Sequence, residues 1–257
     1  MVQRLTRLLR GDRTAITAWV GMPGRHWIEA IASAPFDAVT LDMQHGTHGE
    51  EGVLAAVASI AMLGKPAILR IPVGRFDLAS RALDAGCHAV IAPMVNSVED
   101  ARAFAAHMKY PPVGERSFGP TVAVRNLGLA GAGDYVPSAN AETLAIAMIE
   151  TRDAYEALDD ILDVPGIDGV FVGPADFSVS IQGGGMPKPF GDDTIGMIED
   201  IATRARSREK LAAAFAHTPE AANRAHALGY RLIAAGLDAM YLRQGIDPIL
   251  GALDFRG

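Results

Sequence analysis

The sequence is short of several things, and each shortage narrows the reading. It has a single cysteine, Cys87, which excludes a disulfide scaffold. No run of about 18 apolar residues occurs, so a membrane-spanning helix is not expected. Clustered lysine and arginine are missing and the formal net charge is -7, which argues against nucleic acid or an anionic membrane as the main partner. The N-terminal stretch, with Arg4, Arg7, Arg10 and Arg13 among leucines, lacks the apolar core of a secretory signal. Aromatic residues make up only 6% of the chain. The core is therefore expected to be small aliphatic side chains packed helix on strand. The whole reads as a soluble, cytoplasmic-type protein.

What is present is a recurring alternation. Short β-type runs are followed by amphipathic stretches across all 257 residues, 49% of them hydrophobic. Candidate strands are Ala15–Val20, Ala38–Leu41, Ala67–Leu69, Ala89–Ala92, Leu144–Ile149, Gly169–Val172, Leu211–Phe215 and Arg231–Ala234. Helical patterns follow at Gly52–Leu63, Leu78–Ala85 and Val98–Met108, and Tyr110 to Asn140 is the loosest region. Eight β/α units in roughly 250 residues predict a single-domain α/β protein, a TIM (β/α)8 barrel. The rival is a doubly wound open sheet, whose usual nucleotide signal is missing. Gly131-Ala132-Gly133 lacks a third glycine, and Gly183-Gly184-Gly185, read as a flexible turn, lacks the ending of a phosphate loop. No nucleotide cofactor is expected.

In such a barrel the chemistry gathers where strands end at their C-termini. Strand two ends in Asp42-Met43-Gln44-His45, strand three in Arg70, strand five in Glu150 and strand six in Gly173-Pro174-Ala175-Asp176. Strand seven runs through Phe215 to His217, both candidates for shaping the pocket. Glu150 and Asp176 leave neighbouring strands and suit one hard divalent cation, Mg²⁺, Mn²⁺ or Co²⁺. Alternatively Glu150 pairs with Arg152 and Asp176 caps the next helix. His45 is suited to general-base work, whereas His48 is expected only to hydrogen-bond its loop. Arg70 offers a permanent charge to a carboxylate or enolate oxygen, or forms an ion pair with a neighbour such as Asp42. The Ala175 and Asp176 amides open a helix and can face an anion. The lysines at 65, 109, 188 and 210 do not end strands, so no Schiff-base lysine is expected and carbonyl chemistry would call for a metal.

These residues resemble a known family. Leu41-Asp42-Met43-Gln44-His45-Gly46, Leu69-Arg70-Ile71-Pro72, Leu83-Asp84-Ala85-Gly86 and Tyr110-Pro111-Pro112-Val113-Gly114-Glu115-Arg116 are similar to segments of the HpcH/HpaI aldolases. So are Met148-Ile149-Glu150-Thr151 and the run from Val164 to Ser178, in the same order. The resemblance implies a metal-dependent (class II) pyruvate aldolase, a carbon–carbon lyase. Such enzymes reversibly cleave 4-hydroxy-2-oxo acids to an aldehyde and pyruvate, or an analogue such as hydroxypyruvate. By position, Glu150 and Asp176 would bind the metal and the Ala175 and Asp176 amides, next to Gly173 and Pro174, the substrate carboxylate. Arg70 would stabilise the enolate oxygen and His45 would move the 4-hydroxyl proton. Asp84 matches the residue that raises the histidine's basicity, although its place near a helix end points away from its own rim, towards a neighbouring subunit. The family forms homo-oligomers, often hexamers with exchanged C-terminal helices, so residues 238–257 are expected on a neighbour. Gln44 replaces an acidic residue of many members and Met148 a substrate-contacting glutamine of some. Arg116 either closes over the site or forms a surface ion pair. A citrate-lyase-β-like or malyl-CoA-type lyase and a non-catalytic small-acid-binding barrel are the alternatives.

Overall fold

A computed structural model describes residues 2, 4–11 and 13–253. Eight parallel strands close into a barrel in sequence order: β1 (Ala15–Val20), β2 (Ala38–Asp42), β3 (Ala67–Arg70), β4 (Ala89–Ala92), β5 (Leu144–Ile149), β6 (Gly169–Val172), β7 (Leu211–Ala216) and β8 (Leu232–Ala235). Closure is made by β1, which pairs with β2 at Thr17–Ala38 and with β8 at Ala15–Leu232. The expected barrel is therefore the fold, and the open sheet is not.

The helices are α1 (Leu5–Leu8), α2 (Arg25–Ser33), α3 (Glu50–Met62), α4 (Asp77–Ala85), α5 (Val98–Met108), α6 (Thr121–Asn126), α7 (Ala132–Glu142), α8 (Arg152–Glu156), α9 (Leu158–Leu162), α10 (Pro174–Gln182), α11 (Asp192–Ser207), α12 (Pro219–Ala227) and α13 (Asp238–Gly251). Three of them were not read from the sequence. The stretch from Tyr110 to Asn140 is not loose, because α6 and α7 fold within it despite Pro137 inside α7. The arginine-flanked leucines at the N-terminus form α1, whose Leu5 and Leu8 join the cluster inside the barrel.

Side-chain period sorts the strands into two faces. Ala89 and Ile91, Ile146 and Met148, and Phe171 point into the barrel, while Val90, Ala147 and Val172 pack under the helices. Alanine recurs in β4, β5, β7 and β8, so helices approach closely and buried area comes from many small contacts. Gly183, Gly184 and Gly185 all have positive φ (71°, 117° and 94°), which fits the expected turn after α10. Among the described residues no helix is long and apolar enough to cross a membrane.

Candidate active site

The inward parity continues past the strand ends, and there it carries polar groups. Asp42 ends β2 and Arg70 ends β3, and both are buried. The Arg70 guanidinium grips Asp42 with two bonds, Nε to Oδ1 at 2.8 Å and Nη2 to Oδ2 at 2.6 Å. The ion pair considered for Arg70 thus exists, yet Arg70 also lines the cavity at the rim. Below the guanidinium lies Trp19 of β1, its ring centroid 4.8 Å away and its Nε1 donating to Asp42 Oδ2 at 3.2 Å. The amides of Gln44 and His45 also donate to Asp42 Oδ1. Burial works to raise the Asp42 pKa, but the Arg70 contacts, the His45 amide and the Trp19 indole outweigh it and hold the carboxyl below its ordinary value.

Across the barrel mouth stand the two other carboxylates. Glu150 directly follows β5 and is 2% exposed. Its Oε1 accepts from the Met94 amide at 2.8 Å, a group turned towards it by a left-handed backbone (φ 53°). Burial pushes the Glu150 carboxyl up to about 7; the Met94 bond opposes this and the nearby Asp176 charge adds to it. Glu150 does not pair with Arg152, whose guanidinium donates to the Ile181 carbonyl. Nor does Asp176 cap α10: Gly173 is the N-cap and Asp176 lies in the first turn. The first intrahelical bond there runs from the Phe177 amide to the Gly173 carbonyl, 2.9 Å, so the Ala175 and Asp176 amides lie in the turn that a helix leaves unpaired. Among the described residues no third His, Cys, Asp or Glu joins these two carboxylates as a metal cluster.

Between these groups lies a cavity of about 350 Å³. Arg70, His45, Met148, Gly173, Pro174, Ala175, Asp176, Phe215 and His217 line it, and Glu150 does not. His45 is exposed at the edge, whereas His48 is buried with Nε2 3.1 Å from the Val20 carbonyl. Gln44 does not line the cavity; its Oε1 is buried without a partner.

Asp84 lies elsewhere. It accepts from Arg116 Nη2 at 2.6 Å, near the C-terminal end of α4 and so towards the base of the barrel. Arg116 does not close over the cavity and is not a surface ion pair: its side chain is 0% exposed and also bonds the Tyr135 hydroxyl. Burial raises the Asp84 pKa despite that arginine. The lysines also stay away from the cavity. Lys109 is buried against Asp168 and the Asn140 and Thr143 carbonyls, and Lys65 and Lys210 donate to the Ala34 and Ile167 carbonyls.

Two contributors went unrecognised in the sequence. Trp19 reads as a core residue of an apolar strand, and only its even spacing from the inward Ala15 and Thr17 marks it as facing the rim. Asp238, in the first turn of α13, is 1% exposed and binds the amides of Gly21 and Met22 (3.1 and 2.8 Å) and the Trp27 indole (3.1 Å). It ties the start of the last helix to the loop after β1.

A closed barrel whose C-terminal rim surrounds a partly apolar cavity lined by a buried arginine, Asp176 and an exposed histidine, with Glu150 buried at the end of the neighbouring strand, is the architecture of a (β/α)8 enzyme. The chain belongs to the HpcH/HpaI aldolase/citrate lyase family, whose sequence model matches residues 16–245. It is 34% identical over 241 residues to a 2-keto-3-deoxy-L-rhamnonate aldolase of Klebsiella pneumoniae, covering 93% of this chain and 88% of that protein. It is 32% identical over 237 residues to a hydroxypyruvate/pyruvate aldolase of Roseovarius nubinhibens, covering 92% and 91%. Among solved structures, an HpcH/HpaI aldolase/citrate lyase family protein from Burkholderia cenocepacia superposes with a TM-score of 0.85 at 26% identity, over 96% of both chains. The protein is an enzyme of the carbon–carbon lyase type.

Proposed function

We propose that the protein is a metal-dependent aldolase that reversibly cleaves 4-hydroxy-2-oxo acids to an aldehyde and pyruvate, or a close analogue such as hydroxypyruvate. The observation that carries this is that Glu150 and Asp176 leave neighbouring strands close enough for the Asp176 charge to add to burial in raising the Glu150 pKa, with no cationic side chain bonded to either among the described residues. That donor set fits a divalent cation such as Mg²⁺, Mn²⁺ or Co²⁺: two hard oxygens, with the remaining positions left for substrate and water. A cation held there supplies Lewis acidity towards the 2-oxo group.

The chain's own groups do the rest. The Ala175 and Asp176 amides receive the substrate carboxylate at the start of α10. Arg70, fixed on Asp42 and Trp19, faces the oxygen that gains charge as the C3–C4 bond breaks. His45 takes the 4-hydroxyl proton, so that the electron pair of the broken bond passes to the enolate and the aldehyde departs. The proton held by His45 is then returned to C3, which gives pyruvate and restores the neutral imidazole. Met148, Phe171 and Phe215 wall the cavity and keep water from the enolate. Asp84 reaches a histidine only across a subunit boundary, and would there support His45 of the partner subunit.

The assembly that this requires has its own support. From Leu242 to Leu250 every residue of α13 is exposed, including Leu242, Ile246, Ile249 and Leu250 at helical spacing. A cavity of about 360 Å³ lined by Ile16, Ala222, Ala235 and Met240 lies open beside it. The last helix of another copy is the occupant we assign to that face, in a homo-oligomer of hexameric type. Residues 254–257 lie outside the described residues.

Pyruvate release from a 4-hydroxy-2-oxo acid by EDTA-treated enzyme tests the chemistry. Turnover is expected to return only with Mg²⁺, Mn²⁺ or Co²⁺. Full turnover in the chelator, or none with any metal and several substrates, would overturn the reading.

A further inference from the structure

His45 lies exposed at the edge of the cavity. Among the described residues of its own chain nothing hydrogen-bonds its ring, so the backbone of its loop sets where the imidazole stands. That loop, from Asp42 to His48, is held on two flanks. On one, the Gln44 and His45 amides donate to Asp42 Oδ1 at 3.0 and 3.3 Å. On the other it rests on the turn after β1. The Thr47 amide donates to the Gly21 carbonyl at 2.8 Å, and His48 Nε2 donates to the Val20 carbonyl at 3.1 Å. The two flanks meet at Gly46, next to His45. A Cβ there would overlap the Asp42 carbonyl oxygen and stand 2.7 Å from the Gly21 carbonyl oxygen and 2.8 Å from Gly21 Cα. All three are backbone atoms, so any shift of Gly21 is passed to the residue beside His45.

The Gly21 turn is in turn held by one carboxylate. Asp238 Oδ2 accepts from the Gly21 amide at 3.1 Å, the Met22 amide at 2.8 Å and the Trp27 indole at 3.1 Å, while Oδ1 accepts from the Ala239 amide. Three donors on one oxygen call for the charge of a carboxylate, since a neutral amide oxygen has two lone pairs and binds each N–H less strongly. Asp238 is 1% exposed, so water does not stand in for it. Tying α13 to β1 would require no contact with the His45 loop. Yet an amide that Asp238 binds belongs to the residue on whose carbonyl and Cα that loop rests.

Resting on the aldolase reading above, we propose that Asp238 is a positioning residue for His45: it fixes the Gly21 turn, and the Gly21 backbone seats the Asp42–His48 loop so that the imidazole stands at the substrate 4-hydroxyl. Asp238 bonds neither Glu150 and Asp176 nor the amides that open α10, so its loss is felt in proton transfer and not in binding.

The test is a double-mutant cycle on kcat for cleavage of 4-hydroxy-2-oxopentanoate with Mg²⁺. It uses the full-length wild type, Asp238→Asn, Asp238→Ala, His45→Ala and the two double variants. Asp238→Asn keeps the volume and an acceptor oxygen, and it carries the test should Asp238→Ala fail to fold. Asp238→Asn should lower kcat about tenfold and Asp238→Ala about a hundredfold, the cost of misplacing a reacting group by about an ångström. KM, and the Mn²⁺ dissociation constant from calorimetric titration, should stay within about twofold of wild type. In the His45→Ala background neither substitution should change kcat by more than about twofold, because the group it positions is gone. Asp238 variants that keep the wild-type kcat overturn the proposal. So do variants that slow His45→Ala by the same factor as the wild type, the mark of a merely structural role. With an active wild type, factors that multiply remove only the Asp238 assignment. A wild type that cleaves no 4-hydroxy-2-oxo acid with any metal removes the aldolase reading, and the Asp238 assignment with it.

Discussion

Arg70 and Asp42 form a buried two-point ion pair, 2.8 and 2.6 Å, across the ends of adjacent strands, with side chains 7% and 5% exposed. Both charges are largely withdrawn from water, the Arg70 contacts help hold the Asp42 carboxyl below its ordinary pKa, and Asp42 fixes the direction in which Arg70 points. Breaking such a pair costs about 3–5 kcal/mol because one charge is left buried alone. Asp42→Ala and Arg70→Ala should each lose stability on that scale in urea unfolding, and the double variant should lose clearly less than their sum. In catalysis the two differ. Arg70→Ala should lower kcat, as removal of an oxyanion-stabilising group does, by about 10²–10³. A mere rise in KM would make Arg70 a simple carboxylate binder.

Glu150 and Asp176 are predicted to act as one unit. Asp176→Ala should abolish metal-dependent turnover and weaken Mn²⁺ binding by more than about tenfold in calorimetric titration. Glu150→Gln should do the same while keeping the Met94 bond, because the amide oxygen still accepts from that N–H. A variant that binds Mn²⁺ as tightly as wild type, yet is inactive, would move its residue from the metal to the substrate.

Gly173 owes its identity to Glu150 rather than to backbone conformation. A Cβ at that position would stand 2.6 Å from Met148 Cε and 2.8 Å from Glu150 Oε2. The methionine end can swing aside, but the carboxylate is anchored on Met94. Gly173→Ala should therefore cost about 1–3 kcal/mol of stability through overpacking and displace a metal-site oxygen. Adding Met148→Ala relieves only the first contact, so stability should recover more than kcat. Recovery of both would locate the constraint in Met148 alone.

Much of this was legible in the sequence because local pattern and tertiary role coincide in a parallel barrel. Each strand is a short apolar run bounded by polar residues, and all eight were placed to within a residue or two of their observed ends. Asp42, Arg70, Glu150 and Asp176 were visible for a related reason: they interrupt apolar runs where a strand leaves the core. What failed depended on contacts between distant segments. Glycine and proline around α6 and α7 hid two helices, since Pro137 sits inside a turn that tertiary packing of the buried Tyr135 and Ala139 sustains. α1 has four residues and no helical period to read; the barrel's open base selects it. Arg116 and Asp84, 32 positions apart, look like surface charges until α4 and the loop after α5 meet.

His88 offers a test of stability that is independent of catalysis. It is 2% exposed, and neither ring nitrogen has a hydrogen-bond partner. Burial, with a smaller contribution from the Arg4 charge, pushes its pKa down to about 3. Between that value and the ordinary pKa of about 6.5, the unfolded chain binds a proton that the folded chain refuses. The sign follows: this histidine contributes full stability above pH 6.5 and withdraws about 1.4 kcal/mol per pH unit as the pH falls towards 3. Glu150, raised to about 7, acts in the opposite sense between pH 7 and 4.5 in metal-free protein, so the wild-type curve alone is ambiguous. The difference between wild type and His88→Leu removes that term, because Glu150 is common to both. Leucine replaces two unpaired polar atoms with apolar volume, which is close to neutral in a buried site. The two proteins should therefore unfold in urea with similar free energies at pH 7.5, and the variant should be the more stable by about 2 kcal/mol at pH 5. Parallel curves across that range would mean that His88 is protonated in the folded state, with a water or a carboxylate reaching its ring.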